Sequence, residues 1–298
     1  MFTVPGPIAQ IALQNKAVVY GILFSATAET LLTLAADPRH LGAAIGFIAV
    51  LHTWGQTVGH HPHLHCVVPG GGLSPDGTQW IACRPGFFLP VRVLSRRFRR
   101  VCLHQLQEAC DAQHLRFTGS LAALANPCAF AAHLAPARQT EWVVYAKRPF
   151  AGPHQVLDYI GRYTHRWRSR TSGSSTSMTA TSRFGTRTTA RAGPEHQKTM
   201  TLEAKDFIRR FLLHVLRSGF HRIRYYGLFG NRHRAERLAR CRRLLGMTLP
   251  PAPLVLPEAF SALANPLGPR CPICRAGHMI RLDEGPHADR RATRLDTA

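Results

Sequence analysis

Residues His60-His61-Pro62-His63-Leu64-His65-Cys66-Val67-Val68-Pro69, written HHPHLHCVVP, place four imidazoles within six residues and then run into an apolar, β-branched segment. Residues 63–68 read as a short strand, ended by Pro69 and the three glycines that follow it. Successive side chains of a strand point to opposite faces, so His63 and His65 project together while Leu64 and Cys66 face the other layer. Upstream, residues 46–54 (GFIAVLHTW) form a second β-branched and aromatic run, joined to the first by the polar residues 55–61. Two such runs with a brief connection predict neighbouring antiparallel strands. Paired imidazoles on one rigid strand can hold a divalent cation, and one further ligand would leave positions open for substrate. His61, on the same parity, and Gln56 are further candidate donors. The competing reading is a polar loop rich in histidine; the His-Leu-His step within a strand favours the metal.

Working outward, residues 14–35 are apolar and Ala-rich at helical spacing and predict a buried helix. Ser95 is a candidate cap for a basic helix that aligns Phe98, Val101, Cys102, Leu106 and Ala109 on one face. Residues 141–146 (EWVVYA) predict a third strand, and Pro153 suits the first turn of a helix over residues 154–165. Phe207, Ile208, Phe211, Leu212, Val215 and Leu216 mark the inner face of another helix, ended by Gly219. Residues 221–226 read as a strand, and residues 231–245 as a helix with six arginines, stopped by Gly246. This order of elements predicts an α+β fold, an antiparallel sheet with helices on one face and a basic helical C-terminal part.

The charge narrows the function. Lys and Arg number 38 against 16 Asp and Glu, a net +22 with a pI near 11.1, which points to a polyanionic partner bound with release of phosphate counterions. No apolar run approaches the roughly 20 residues that span a bilayer, and the first residues show no secretory signal. Cys66, Cys83, Cys102, Cys110, Cys128 and Cys241 lie scattered among apolar neighbours, as reduced residues of a cytoplasmic protein do.

A second constellation lies in VLDYIGRYTHR. Tyr159 and Tyr163 are four apart, hence one turn from each other on a single helix face, flanked by Arg162 and Arg166. Tyrosines so placed more often pack than act as nucleophiles, yet Val156, Leu157 and Ile160 already supply an apolar side, so the two need not belong to the core. Two histidines for a metal together with a helix bearing a tyrosine pair resemble the HUH endonucleases. The strings LHTWGQ, HPHLHCVVPGGG, FFLPVRVLSRRFRR, WVVYAKRPFAGP, YIGRYTHR, KTMTL, FIRRFLLHVL and RIRYYGLF, in this order, are similar to the IS91 family of rolling-circle transposases. The resemblance covers nearly the whole chain apart from one internal segment and the tail. It implies that His63 and His65 ligate Mg²⁺ or Mn²⁺, and that Tyr159 and Tyr163 are the nucleophiles of a two-tyrosine enzyme. Nicking would then leave a 5′-phosphotyrosine and a free 3′-OH on single-stranded DNA at transposon ends and target. Lys147, Arg148, Arg162, Arg166, Arg234 and Arg237 are the candidate DNA contacts, and the expected location is the bacterial cytoplasm, at the nucleoid. A DNA-binding remnant without activity and a metal-dependent hydrolase that uses water are the alternatives.

Residues 167–193 (WRSRTSGSSTSMTATSRFGTRTTARAG) depart from that pattern. All but three of these 27 residues are Ser, Thr, Gly, Ala or Arg, which predicts a basic linker unable to bury a face. Read one nucleotide earlier, the start of this stretch can become Val-Ala-Ile-Ser-Asn and its later part Thr-Phe-Arg-Tyr-Lys-Asp-Tyr-Arg, both strand-like, so a pair of compensating frameshifts is the expected origin. The division expected is a catalytic core with the tyrosine helix (1–166), this segment (167–193), the basic helical end of the transposase domain (194–249) and a largely disordered Pro-rich tail (250–298). Cys271 and Cys274 in that tail resemble the family's C-terminal CPxC and have the spacing of half a Zn²⁺ site, a candidate that His278 or His287 could complete. The strand-like start at Phe2, without the Cys-rich region that usually precedes the family's catalytic domain, predicts truncation at the N-terminus.

Overall fold

A computed structural model describes residues 1–55, 59–147, 181–187 and 197–247, together with positions 154 and 156. Short strand β1 (Phe2–Thr3) leads into helices α1 (Gly6–Gln14) and α2 (Lys16–Ala36), then strands β2 (Gly46–Trp54) and β3 (His60–Val67). The hairpin β4 (Gly71–Leu73) and β5 (Trp80–Ala82) follows, turning at Gly77 with φ +72°, and then α3 (Val91–Asp111) and α4 (Pro127–Gln139). Strands β6 (Thr181–Arg187) and β7 (Gln197–Glu203), helix α5 (Ala204–Leu212), strand β8 (Ile223–Gly227) and helix α6 (Arg234–Leu244) follow. The central sheet is antiparallel throughout, in the order β1-β3-β2-β8. The fold is α+β, as the sequence predicts.

Pairing sets the two faces of the sheet. Leu51 opposes Leu64, and Phe2 opposes Leu64 from the other side. These residues, with Phe47 and Ala49, are buried in one apolar core with Ile8, Tyr20, Leu23 and Phe24 of the first two helices. Helix α2 lies between the sheet and α3, so it is apolar around most of its surface. It is 21 residues long with a mean hydropathy of 1.6 over an 18-residue window, which corrects the expectation that no segment is long and apolar enough to cross a bilayer. Sixty-one per cent of that window is buried within the protein, as in a core helix. Asn15 separates α1 from α2, and its amide both donates to Arg116 O and accepts from Arg116 N, at 2.8 and 2.7 Å.

Several local expectations change. Strand β3 begins at His60, so Pro62 lies within it rather than in the connection. Ser95 does not cap α3, which starts four residues earlier after Pro90; its hydroxyl instead donates to Trp142 O at 2.7 Å. The apolar face of α3 is as expected, with Phe98, Val101, Cys102, Leu106 and Ala109 all buried. Residues 141–146 make one bridge, Val144 to Phe2, because their only partner strand is two residues long. Helix α5 ends at Leu212, before Gly219, and Ile208, Phe211, Leu212 and Val215 are exposed rather than turned inward. Within the stretch expected to be linker, Thr181–Arg187 is a strand paired with Gln197–Glu203. The arginine helix ends as expected: Gly246 takes φ +63°, its N–H bonds Arg243 O, and Met247 N–H bonds Arg242 O, a Schellman closure.

Candidate metal centre on the central sheet

The face of the sheet turned away from α1 and α2 carries the histidines. His65 opposes Val50, and His63 opposes His52, so one register brings three imidazoles together. His63 Nε2 lies 3.0 Å from His52 Nδ1 and 3.1 Å from His65 Nε2, and one ligand atom from each residue falls within 4.8 Å of the others. Among the described residues this is the one group of three or more metal-ligating side chains. Two cis ligands about 2.1 Å from a common ion are themselves about 3 Å apart, so these separations fit a shared cation.

The second nitrogen of His63 fixes its tautomer. Nδ1 stands 2.7 Å from the carbonyl oxygen of His61, which can only accept, so Nδ1 carries the proton and Nε2 is left with its lone pair facing the group. His61 thus meets the group through its backbone, while its side chain is exposed. His63 and His65 are buried. Burial lowers the imidazole pKa of His63 to about 4, of His65 to about 3 and of His52 to about 2, with mutual repulsion adding to the effect at His52 and His65. At neutral pH all three are therefore uncharged, the form in which imidazole binds a metal. A group of three neutral donors would leave the whole charge of a divalent cation available to an anion.

His60 faces the other way. Its Nε2 is 2.8 Å from the hydroxyl of Tyr20 on α2, and burial lowers its pKa to about 4 while raising that of Tyr20. His214 packs near-parallel to its ring at 6.3 Å, and Thr53 Oγ1 lies 3.1 Å from His214 Nδ1.

Of the other sequence candidates, Lys147 is exposed at the end of the segment after Val144. Arg234 is exposed on α6, with its guanidinium carbon 5.6 Å from the centre of the Tyr225 ring. Arg237 donates to Gly227 O at 3.1 Å, which ties α6 to the end of β8. Gln56, Arg148, Tyr159, Arg162, Tyr163, Arg166, Cys271, Cys274, His278 and His287 lie outside the described residues. Sequence reasoning missed His52. The signal was present: β2 and β3 are joined by a brief connection, and their paired residues lie nearly equidistant from its centre.

A family model described as "Putative transposase" matches residues 46–237, which hold all three imidazoles. The chain is 58% identical over 288 residues to "Putative transposase y4qJ" of Sinorhizobium fredii (strain NBRC 101917 / NGR234), an alignment covering 95% of this chain and 72% of that protein. The chain belongs to this transposase family. It is also 26% identical over 281 residues to "Transposase for insertion sequence element IS801" of Pseudomonas savastanoi pv. phaseolicola, covering 93% of this chain and 65% of the relative. These relatives bear out the IS91-like reading of the sequence. No solved structure matches the chain significantly. For a transposase the substrate is DNA, which agrees with the net charge of +22.

Proposed function

We propose that this transposase nicks and rejoins single-stranded DNA through a 5′-phosphotyrosine intermediate, as rolling-circle transposition requires. The observation that carries the reading is the convergence of His52, His63 and His65 on one sheet face of a transposase-family chain. These three residues would hold Mn²⁺ or Mg²⁺, which when bound supplies positive charge to the scissile phosphate during in-line displacement. His63 keeps its Nε2 directed into the group through the bond from Nδ1 to His61 O. Tyr159 and Tyr163 serve as nucleophiles. A phenol of ordinary pKa near 10 needs a nearby cation or base to attack as phenolate. Attack by one tyrosine forms a Tyr–O–P bond and breaks the P–O3′ bond, releasing the 3′-OH. That hydroxyl, or one from the target, then reverses the exchange, so joining needs no external energy source. The second tyrosine lets a second strand be cleaved while the first end is still held. We place this activity in the bacterial cytoplasm, at the nucleoid.

The test is an SDS gel with labelled single-stranded DNA from the element's ends and Mn²⁺. A protein–DNA adduct that survives SDS, requires Mn²⁺ and is lost when both Tyr159→Phe and Tyr163→Phe are made supports the reading. Turnover without adduct would favour hydrolysis by water instead. DNA binding with neither adduct nor turnover would make the chain a remnant; the low-complexity stretch after the tyrosines, residues 167–193, is the feature that favours that outcome.

A further inference from the structure

Rows of side chains cross the sheet face that holds the imidazoles. Tyr225 stands opposite Ile48, Ile223 opposite Val50, and His52 opposite His63; past a bulge, half-buried Trp54 at the end of β2 packs its ring 4.1 Å from that of His52. The core leaves the β8 side chains of this face uncovered: Tyr225 is 42% exposed and Ile223 36%. An aromatic ring left in solvent beside a candidate metal centre calls for a partner other than the protein's own core. Each of the two aromatics also has a guanidinium over it. Arg234 Cζ lies 5.6 Å from the Tyr225 ring centre, and Arg222 Cζ lies 5.6 Å from that of Trp54. A ring beside a guanidinium matches the two parts of one nucleotide, a base that stacks and a phosphate that takes a charge-assisted bond.

We infer that Tyr225 with Arg234, and Trp54 with Arg222, are two nucleotide-binding positions for single-stranded DNA, one on each side of the His52–His63–His65 group. From Ile48, opposite Tyr225, to Trp54 is six residues of β2, about 20 Å at ~3.3 Å per residue, and the imidazoles lie between. A strand lying along β2 would stack a base at either end and bring the intervening phosphates across the imidazoles. Paired bases in a duplex hide their faces in the stack, so these rings select single strands. The excess of cations supplies affinity for any nucleic acid, and the rings supply the preference. This placement rests on the nicking reading for its purpose, but the binding is measurable without it.

The test is fluorescence anisotropy of the full chain, in EDTA, with a labelled oligo-dT of about 20 nucleotides and with a duplex of equal length. Tyr225→Ala is expected to weaken oligo-dT binding about tenfold and to leave duplex binding within about twofold, while Tyr225→Phe binds like the parent. Arg234→Ala is expected to weaken both and to reduce the salt slope by about one. Unchanged oligo-dT binding by Tyr225→Ala, or an equal loss for both nucleic acids, overturns the inference. Should Tyr225→Ala fail to fold, Tyr225→Leu keeps an apolar side chain on that face. A loss with Leu and retention with Phe then supports the assignment, and equal binding by the two overturns it. Because EDTA removes metal chemistry, failure to form an adduct would sink the nicking reading and leave this result standing. Loss of strand preference in the parent would sink this inference alone.

Discussion

His52 Nδ1 lies 3.0 Å from His63 Nε2 because the two residues are directly opposed across β2 and β3. The imidazole group is thus a product of strand register: a shift of one residue would turn His52 into the helix-packed face and Leu51 out of it. The third imidazole comes from a neighbouring strand, and this separates it from the many histidines near it in sequence. His52→Ala is expected to weaken Mn²⁺ binding by at least about a hundredfold, since even a residue that only orients a ligand costs 10- to 100-fold when lost. His61→Ala should change it little, because His61 contributes its backbone carbonyl. Titration calorimetry with Mn²⁺ measures both; similar losses in the two variants would remove His52 from the ligand set.

Acid should destabilise the fold over a defined window. Burial holds His60 and His63 near pKa 4 and His65 near 3, whereas an unfolded histidine titrates near 6.5. Between those values the unfolded chain binds protons that the folded chain refuses, so stability declines as pH falls from about 6.5 to about 3. Thermal melts in EDTA across that range should show a falling midpoint, and a flat profile would contradict the burial of these rings. Bound Mn²⁺ should raise the midpoint above about pH 6.5 by mass action.

Leu64 is fully buried between Leu51 and Phe2 on the strand that carries His63 and His65. Leu64→Ala should cost about 2–5 kcal/mol, by loss of apolar burial and the cavity left behind. Denaturant unfolding gives the value. A cost below about 1 kcal/mol would mean that the sheet and α2 do not close over this position.

Gly227 ends β8 with φ +58°, and a Cβ there would run into the carbonyl of Ile45. The same residue accepts the bond from Arg237. Gly227→Ala combines a left-handed backbone with a backbone collision, so a loss of about 1–3 kcal/mol is expected from the strained conformation alone. The substitution should also displace Tyr225 and Arg234 relative to the imidazoles. Calorimetric melting tests the first effect, and single-strand preference in the anisotropy assay tests the second. A variant as stable as the parent would show that this turn relaxes freely.

Local patterning was legible wherever the period itself was the information. The bounds of β2, the shared face of His63 and His65, the buried stripe of α3 and the stop at Gly246 all follow from short-range spacing and residue type. Where an element's partner decided the outcome, sequence was a weaker guide. Ser95 has the chemistry of a cap, yet a carbonyl from Trp142, distant in sequence, took its hydroxyl. Residues 141–146 have a strand's composition, but β1 offers too little edge to pair with them. Helix α5 is amphipathic as read, yet Ile208, Phe211 and Leu212 on its apolar side are exposed, because amphipathicity reports a preference for burial and not its extent.

By itself the amino-acid sequence determined the charge that draws the chain to DNA, the α+β class and the two histidines that share a face. It also supplied the ordered strings that resemble the IS91 family. The tertiary structure decided which third imidazole joins those two, the separation of His60 onto the helix side with Tyr20, and the placing of Tyr225 and Arg234 on the same sheet face as the imidazoles. The physical reason is range. A strand's alternation acts over two residues, whereas the register of β2 with β3 and β8 depends on how side chains far apart in sequence fill one core.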